Sequence, residues 1–233
     1  MFFGLADPAI DPVGWRPVRL LYAAEHDHLD VLLASVRAAL GQCEPRVAAS
    51  LLFQGYASRL LSPPLACLAA NGCVPAMPAG QLQWRAPEDQ MIELGLTAGP
   101  GLAGSERRLI EELVTASFGE HLQALADALR RRVRISASLL TGNAASALVS
   151  GLRLLAGRLG PDWRSLAAHA LAQPPLRGSG GWRDSPGRDG GWGGEPVFVR
   201  RSCCLYYRVA DGGLCTDCPL AARGVPRGPQ IRP

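Results

Sequence analysis

Four of the chain's seven cysteines fall within sixteen residues near its end: Cys203 and Cys204 are adjacent, and Cys215 and Cys218 follow with two residues between them. Thiols this crowded bind metal or cross-link, and either outcome fixes the backbone around them more firmly than local propensity does. Three arrangements compete. A disulfide pair needs an oxidising compartment. A structural zinc ion would use Cys215-Thr216-Asp217-Cys218 as one half-site, but the usual partner is a second spaced pair, and the side chains of adjacent Cys203 and Cys204 diverge. A [2Fe–2S] cluster spreads four thiolates around two irons, and diverging neighbours suit it better. The remaining thiols, Cys43, Cys67 and Cys73, lie in or beside apolar helical segments and read as buried small hydrophobes.

Composition supplies the setting. The chain is 233 residues long, 48% hydrophobic and 19% charged, enough to bury a core and suited to one ordinary domain with a small appendage. Met1-Phe2-Phe3-Gly4 is apolar but lacks a preceding basic residue, and Pro8 and Pro12 interrupt the run, so no signal peptide is expected. The longest uncharged stretch, between Arg134 and Arg153, carries too many Ser, Thr, Asn and Gly residues for a lipid-facing helix. These features predict a cytoplasmic protein, where thiols stay reduced and free for metal.

The net charge of +4 is local. From Phe198 onward there are six arginines (Arg200, Arg201, Arg208, Arg223, Arg227 and Arg232) against Asp211 and Asp217, which accounts for the whole excess. Every basic side chain is Arg, a compositional bias of the whole chain. A nucleic-acid partner is not expected from charge of this kind.

Periodicity predicts a mainly α chain with a small β-hairpin, an α+β class. Leu29, Val31, Leu32, Val36 and Leu40 share a helix face from Asp27 to about Leu40, with Asp27 as N-cap. A second helix runs from Pro45 to Leu61 and stops at Ser62-Pro63-Pro64. A short one over Leu65–Ala70 is capped by Asn71-Gly72. Gln81–Arg85 and Met91–Leu96 alternate and read as a hairpin around Pro87-Glu88-Asp89. Ser105 caps a long helix to about Arg132 with the stripe Leu109, Leu113, Leu122, Leu125 and Leu129; further helices follow Gly142-Asn143 to Leu159 and span Asp162 to Leu171. Twelve of the 23 residues from Pro174 to Pro196 are Gly or Pro, which predicts a linker or extended loop; Val197-Phe198-Val199 then forms a strand. The organisation expected is a helical domain over 1–173 with its hairpin near 81–96, a linker over 174–196, and a small iron–sulfur domain over 197–233.

Several weaker signals have plain explanations. Gly99-Pro100-Gly101-Leu102-Ala103-Gly104 matches a dinucleotide-binding fingerprint, yet the acids that follow, Glu120 and Asp127, lie inside a helix, so a plain loop is expected. Glu25-His26-Asp27-His28 reads as a capping turn whose histidines point to different faces; His121 and His169 read as structural. Arg130, Arg131, Arg132 and Arg134 end a helix, where cations complement the dipole; an alternative role is to face an anionic ferric chelate.

Arg200-Arg201-Ser202-Cys203-Cys204-Leu205-Tyr206-Tyr207-Arg208 and Gly213-Leu214-Cys215-Thr216-Asp217-Cys218-Pro219-Leu220 together resemble the C-terminal domain of FhuF-type ferric-siderophore reductases, including its CC-x10-CxxC pattern. Upstream, Gly142-Asn143-Ala144-Ala145 is similar to the family's Gly-Asn segment and Phe53 to Gly72 to its early helices, while the residue before Gly-Asn is Thr141 rather than an aromatic and the 174–196 loop looks like an insertion. The resemblance implies that Cys203, Cys204, Cys215 and Cys218 ligate a [2Fe–2S] cluster. It implies an oxidoreductase that passes one electron to a ferric siderophore in the cytoplasm and so releases Fe(II). Its partners would be the anionic chelate and an electron donor such as a ferredoxin or flavoprotein reductase, with peripheral association at the inner membrane compatible. Arg130, Arg131, Arg134, Arg200, Arg201 and Arg208 are the candidate docking residues; Arg200, Arg201 and Arg208 would also favour the more negative reduced cluster. A zinc-stapled interaction protein, or a cluster protein that senses iron or redox state, are the alternatives.

Overall fold

The computed structural model of the chain describes residues 5–87, 92–96, 100–186 and 192–221. Its architecture is α+β, with helices packed in one core and three small antiparallel sheets at the periphery. β1 (Arg16–Pro17) leads into α1 (Val18–Tyr22) and α2 (His28–Ala39), and α3 (Pro45–Asn71) is the central helix. Then come β2 (Cys73–Pro75), β3 (Leu82–Arg85), β4 (Glu93–Leu96) and β5 (Gly101–Ala103). α4 (Glu106–Ser117) and α5 (Gln123–Arg132) are joined without a break by a π-helical turn at Phe118–Leu122. α6 (Ala137–Leu154), α7 (Ala156–Leu159) and α8 (Trp163–Ala172) precede the strands β6 (Gly180–Pro186) and β7 (Trp192–Arg200). Among the described residues, no helix is long and apolar enough to cross a membrane.

The hairpin expected near 81–96 forms. β3 and β4 pair antiparallel with Leu82 opposite Leu96 and Trp84 opposite Leu94, and β1 adds a third strand that periodicity did not show. Glu88, Asp89 and Met91 lie outside the described residues. The glycine-rich match at 99–104 is not a plain loop, because Gly101–Ala103 pairs antiparallel with Cys73–Pro75 as β5 on β2. A two-stranded antiparallel ribbon offers no parallel crossover, so the dinucleotide fingerprint has no structural counterpart.

The largest departure is α3, which runs through Pro63-Pro64 instead of ending there. Each proline removes a helical N–H bond, at about 3 kcal/mol in a helix interior. Leu60, Leu61, Leu65 and Leu68 around them are buried, and burial of such side chains contributes about 1.5–3 kcal/mol each. Packing against α6 therefore outweighs the break. The predicted cap at its end is present: Gly72 has φ 63° and its N–H donates to the Leu68 carbonyl at 3.0 Å.

Smaller differences have similar causes. Val31 is 61% exposed, since a two-residue step from Leu29 carries it to the far side of α2. α6 starts at Ala137, where Ser136 Oγ accepts the Leu139 N–H at 3.3 Å, so Gly142-Asn143 sits mid-helix rather than at a start. His26 precedes α2, and its ring stacks on His28 at 5.5 Å rather than diverging from it. Cys43 is buried, whereas Cys67 and Cys73 are half-buried. The 174–196 segment is not a bare linker: residues 180–186 and 192–200 form a hairpin with Trp182 opposite Phe198. Gly180 serves close packing, as a Cβ there would lie 2.4 Å from the Phe198 ring.

The leucine stripe of α4 and α5 is buried as predicted, and the π turn between them points His121 into the core. His121 Nε2 donates to the Met77 carbonyl at 2.7 Å, so Nδ1 accepts from the Tyr22 hydroxyl at 3.1 Å, and Tyr22 in turn bonds Tyr56. Burial holds the His121 pKa below its ordinary value, partly offset by the Met77 carbonyl and the charge of Glu120. A histidine whose folded pKa is depressed contributes stability above its unfolded pKa of about 6.5, lost as pH falls from there through the folded value. Denaturant midpoints should therefore drop on acidification below about pH 6.5, and His121→Gln should flatten that dependence. An unchanged pH profile in the variant would contradict the assignment.

Candidate metal centre

β7 delivers Arg200 to the interior. Its N–H donates to the Asp217 carbonyl at 3.0 Å, which folds the Cys215–Cys218 turn back onto the strand end. The guanidinium is 1% exposed. Nη1 donates to Asn143 Oδ1 at 2.8 Å, and Nε lies 2.8 Å from Asp217 Oδ2, close enough for an ion pair but off the N–H axis, so it is not a hydrogen bond. Burial opposes the charge, but Asp217 and the neighbouring Cys204 and Cys215 outweigh it and hold the Arg200 pKa up.

Asn143 extends this contact into the helices. Its Nδ2 donates to Ser50 O and Oγ at 2.9 Å, and Ser50 Oγ donates to the Cys204 carbonyl at 2.6 Å. A chain of bonds thus links α3, α6, β7 and the cysteine loop. Gly142 is what lets the loop approach: Ser202 donates to the Ser138 carbonyl at 3.1 Å, and a Cβ on Gly142 would lie 2.2 Å from that hydroxyl. The Gly-Asn pair, which carried no assigned role in the sequence, is therefore the seat of the cysteine loop.

The loop itself turns sharply. Leu205 adopts φ 69°, a left-handed conformation rare for a leucine, and its N–H reaches Cys203 Sγ at 3.4 Å. Cys204 and Cys218 are buried, Cys203 and Cys215 half-buried, and Cys204 Sγ lies 3.2 Å from Cys215 Sγ. Hydrogen bonds from Cys203 and Cys215, with help from Arg200, draw the Cys204 pKa far down, while the two donating thiols are pushed up. Metal ligation requires the thiolate form of each.

These donors fit a two-iron group. The four thiols come from one short segment, with Cys204 Sγ drawn to 3.2 Å from Cys215 Sγ. Two irons need only two thiolates each. The buried Arg200, set beside Cys204 and Cys215, matches the negative charge that four thiolates and two sulfides bring. The class is that of an iron–sulfur protein. Residues 200–220 match the family model of the FhuF 2Fe–2S C-terminal domain, a [2Fe–2S] cluster-binding domain, and Cys203, Cys204, Cys215 and Cys218 fit its motif. The similarity to the FhuF family is confined to that segment. No curated protein matches the chain significantly.

The arginines separate into distinct settings. Arg200 faces the cysteines and not the solvent. Arg208 pairs with Glu44, at the start of α3, and Arg201 is exposed. Arg130 pairs with Asp127 at 3.5 Å and Arg131 donates to the Tyr22 carbonyl. Arg134 is exposed and lines a groove of about 640 Å3 with Arg46, Ser136, Leu139 and Leu205; periodicity gave no hint of Arg46. Asn143→Leu removes the buried acceptor of Arg200, at about 1–3 kcal/mol for a polar partner left unsatisfied. Reconstituted protein should then hold less iron and sulfide per chain and unfold earlier; parental values in both measurements would remove Asn143 from the site.

Proposed function

We propose that the protein is a ferric-siderophore reductase of the cytoplasm, in which a chelate seated at the Arg46–Arg134 groove receives one electron. The observation that carries this reading is the adjacency of that groove to Leu205, the residue directly after the Cys203-Cys204 pair. The bound [2Fe–2S] group supplies one-electron transfer. The residues around it do the rest. Cys203, Cys204, Cys215 and Cys218 hold it, and Arg200 favours the more negative, reduced state. Arg134, and the remaining N–H groups of Arg46, whose Nε pairs with Glu44 at 2.8 Å, offer cationic donors to the catecholate, hydroxamate or carboxylate oxygens of a chelate.

No general acid or base is needed, since a siderophore grips Fe(III) far more tightly than Fe(II) and loosens once the iron is reduced. Exposed Arg201 remains available to an acidic protein donor.

Dithionite-reduced protein mixed with anionic ferric chelates should release Fe(II), trapped by a ferrous-specific chromophore, in a one-electron stoichiometry. Arg134→Ala with Arg46→Ala should lower kcat/KM for an anionic chelate by roughly tenfold, about 1.4 kcal/mol, chiefly through KM, and leave the visible spectrum of the protein unchanged. A reduced protein that is not reoxidised by any ferric chelate would refute the reading.

A further inference from the structure

A second concavity lies on the other half of the cysteine segment. It encloses about 360 Å3, within the range of small-ligand sites, and its lining includes Thr216 and Asp217, the two residues between Cys215 and Cys218. One wall is aromatic: Trp182 packs edge-on against Trp163 at 5.8 Å and against Phe198 at 6.1 Å. Trp163 and Phe198 are buried, whereas Trp182 is only half-buried. Arg153 of α6 lines the same cleft, exposed, and among the described residues no hydrogen bond or ion pair engages its guanidinium. Trp182 lies in the 174–196 segment, which looks like an insertion beside the family that the sequence resembles.

The chemistry of this lining is specific. Indole faces take planar aromatic rings, exposed Thr216 can hydrogen-bond a ring edge, and Arg153 at the opening takes a phosphate, while Arg164, which lines the same cleft, lies over the Trp163 ring at 4.9 Å. Asp217 does not repel an anion here, because Arg200 neutralises it at 2.8 Å. Arg153 and Thr216 line one cleft, so an anion at the first and a ring at the second belong to one ligand. Electron count narrows the class. A nicotinamide gives up a hydride, two electrons together, while a one-electron carrier must be fed singly; a reduced flavin can release its electrons one at a time.

We propose that the Trp182–Arg153 cleft binds a flavin nucleotide, with its ring against Trp182 and Thr216 and its phosphate on Arg153, and that this flavin is the electron donor. The inference deepens the reductase reading and rests on it for the donor role alone. The overall reaction balances: one reduced flavin gives up two electrons and two protons as two ferric chelates each become ferrous.

Equilibrium dialysis of flavin mononucleotide against the full-length, cluster-loaded chain tests the site without using activity. Saturable binding to one site is expected. Arg153→Glu, a substitution at an exposed helix position, should weaken it at least tenfold, and riboflavin, which lacks the phosphate, should bind the parent chain as weakly. Trp182→Leu should weaken both ligands, and Arg134→Glu should change neither. No saturable binding, or binding that ignores Arg153→Glu, overturns the proposal. Failure of the reductase reading is distinguishable, since dithionite replaces the flavin in the chelate assay. Chelate reduction without flavin binding removes the flavin site and spares the reductase. Flavin binding at Arg153 without chelate reduction removes the donor role.

Discussion

The guanidinium of Arg200 is a charge in the interior, held by Asn143 and Asp217 and set beside Cys204 and Cys215. A buried cation is expensive unless a matching negative charge sits next to it. Asp217 supplies one such charge at 2.8 Å, and in the cluster-loaded protein the thiolates and sulfides add to it. Arg200 thus couples two requirements: the helices hold the cysteine loop through Asn143 and Ser50, and the charge of the cluster reinforces Arg200 in the interior. Removing either side weakens the other, so folding of the tail and metal binding are linked.

What was legible in the sequence follows from how local each determinant is. The spacing of Cys203, Cys204, Cys215 and Cys218 lies within one short segment, and so do the Gly72 cap and the leucine stripe of α4 and α5. The roles of Ser50, Asn143 and Gly142 are not local. They depend on α3 and α6 crossing under a loop more than fifty residues further along the chain, and neither periodicity nor propensity reports such a crossing. Pro63-Pro64 misled for the same reason: a helix break is a local preference, and α3 is buried deeply enough to override it. The glycines of 174–196 carried a double meaning. They signal flexibility by composition, yet Gly180 is needed because an aromatic ring occupies the space of its Cβ.

The hairpin changes how the tail is understood. Expected as a tether, it instead brings Trp182, backed by Phe198, against Trp163 of α8 and closes a cleft over the Cys215–Cys218 turn. The cationic groove at Leu205 touches the other half of the cysteine segment. An electron carrier needs one approach for what reduces it and one for what it reduces. The two concavities meet that need in our reading, with α6 contributing to both, through Leu139 at one and Arg153 at the other.

The most direct test of the central claim is an anaerobic absorption and EPR spectrum of the full-length protein, taken before and after dithionite. The account predicts visible charge-transfer bands that bleach on reduction, with an S = 1/2 signal integrating to about one spin per two irons. A colourless protein, silent after reduction and holding one tightly bound zinc, would contradict it.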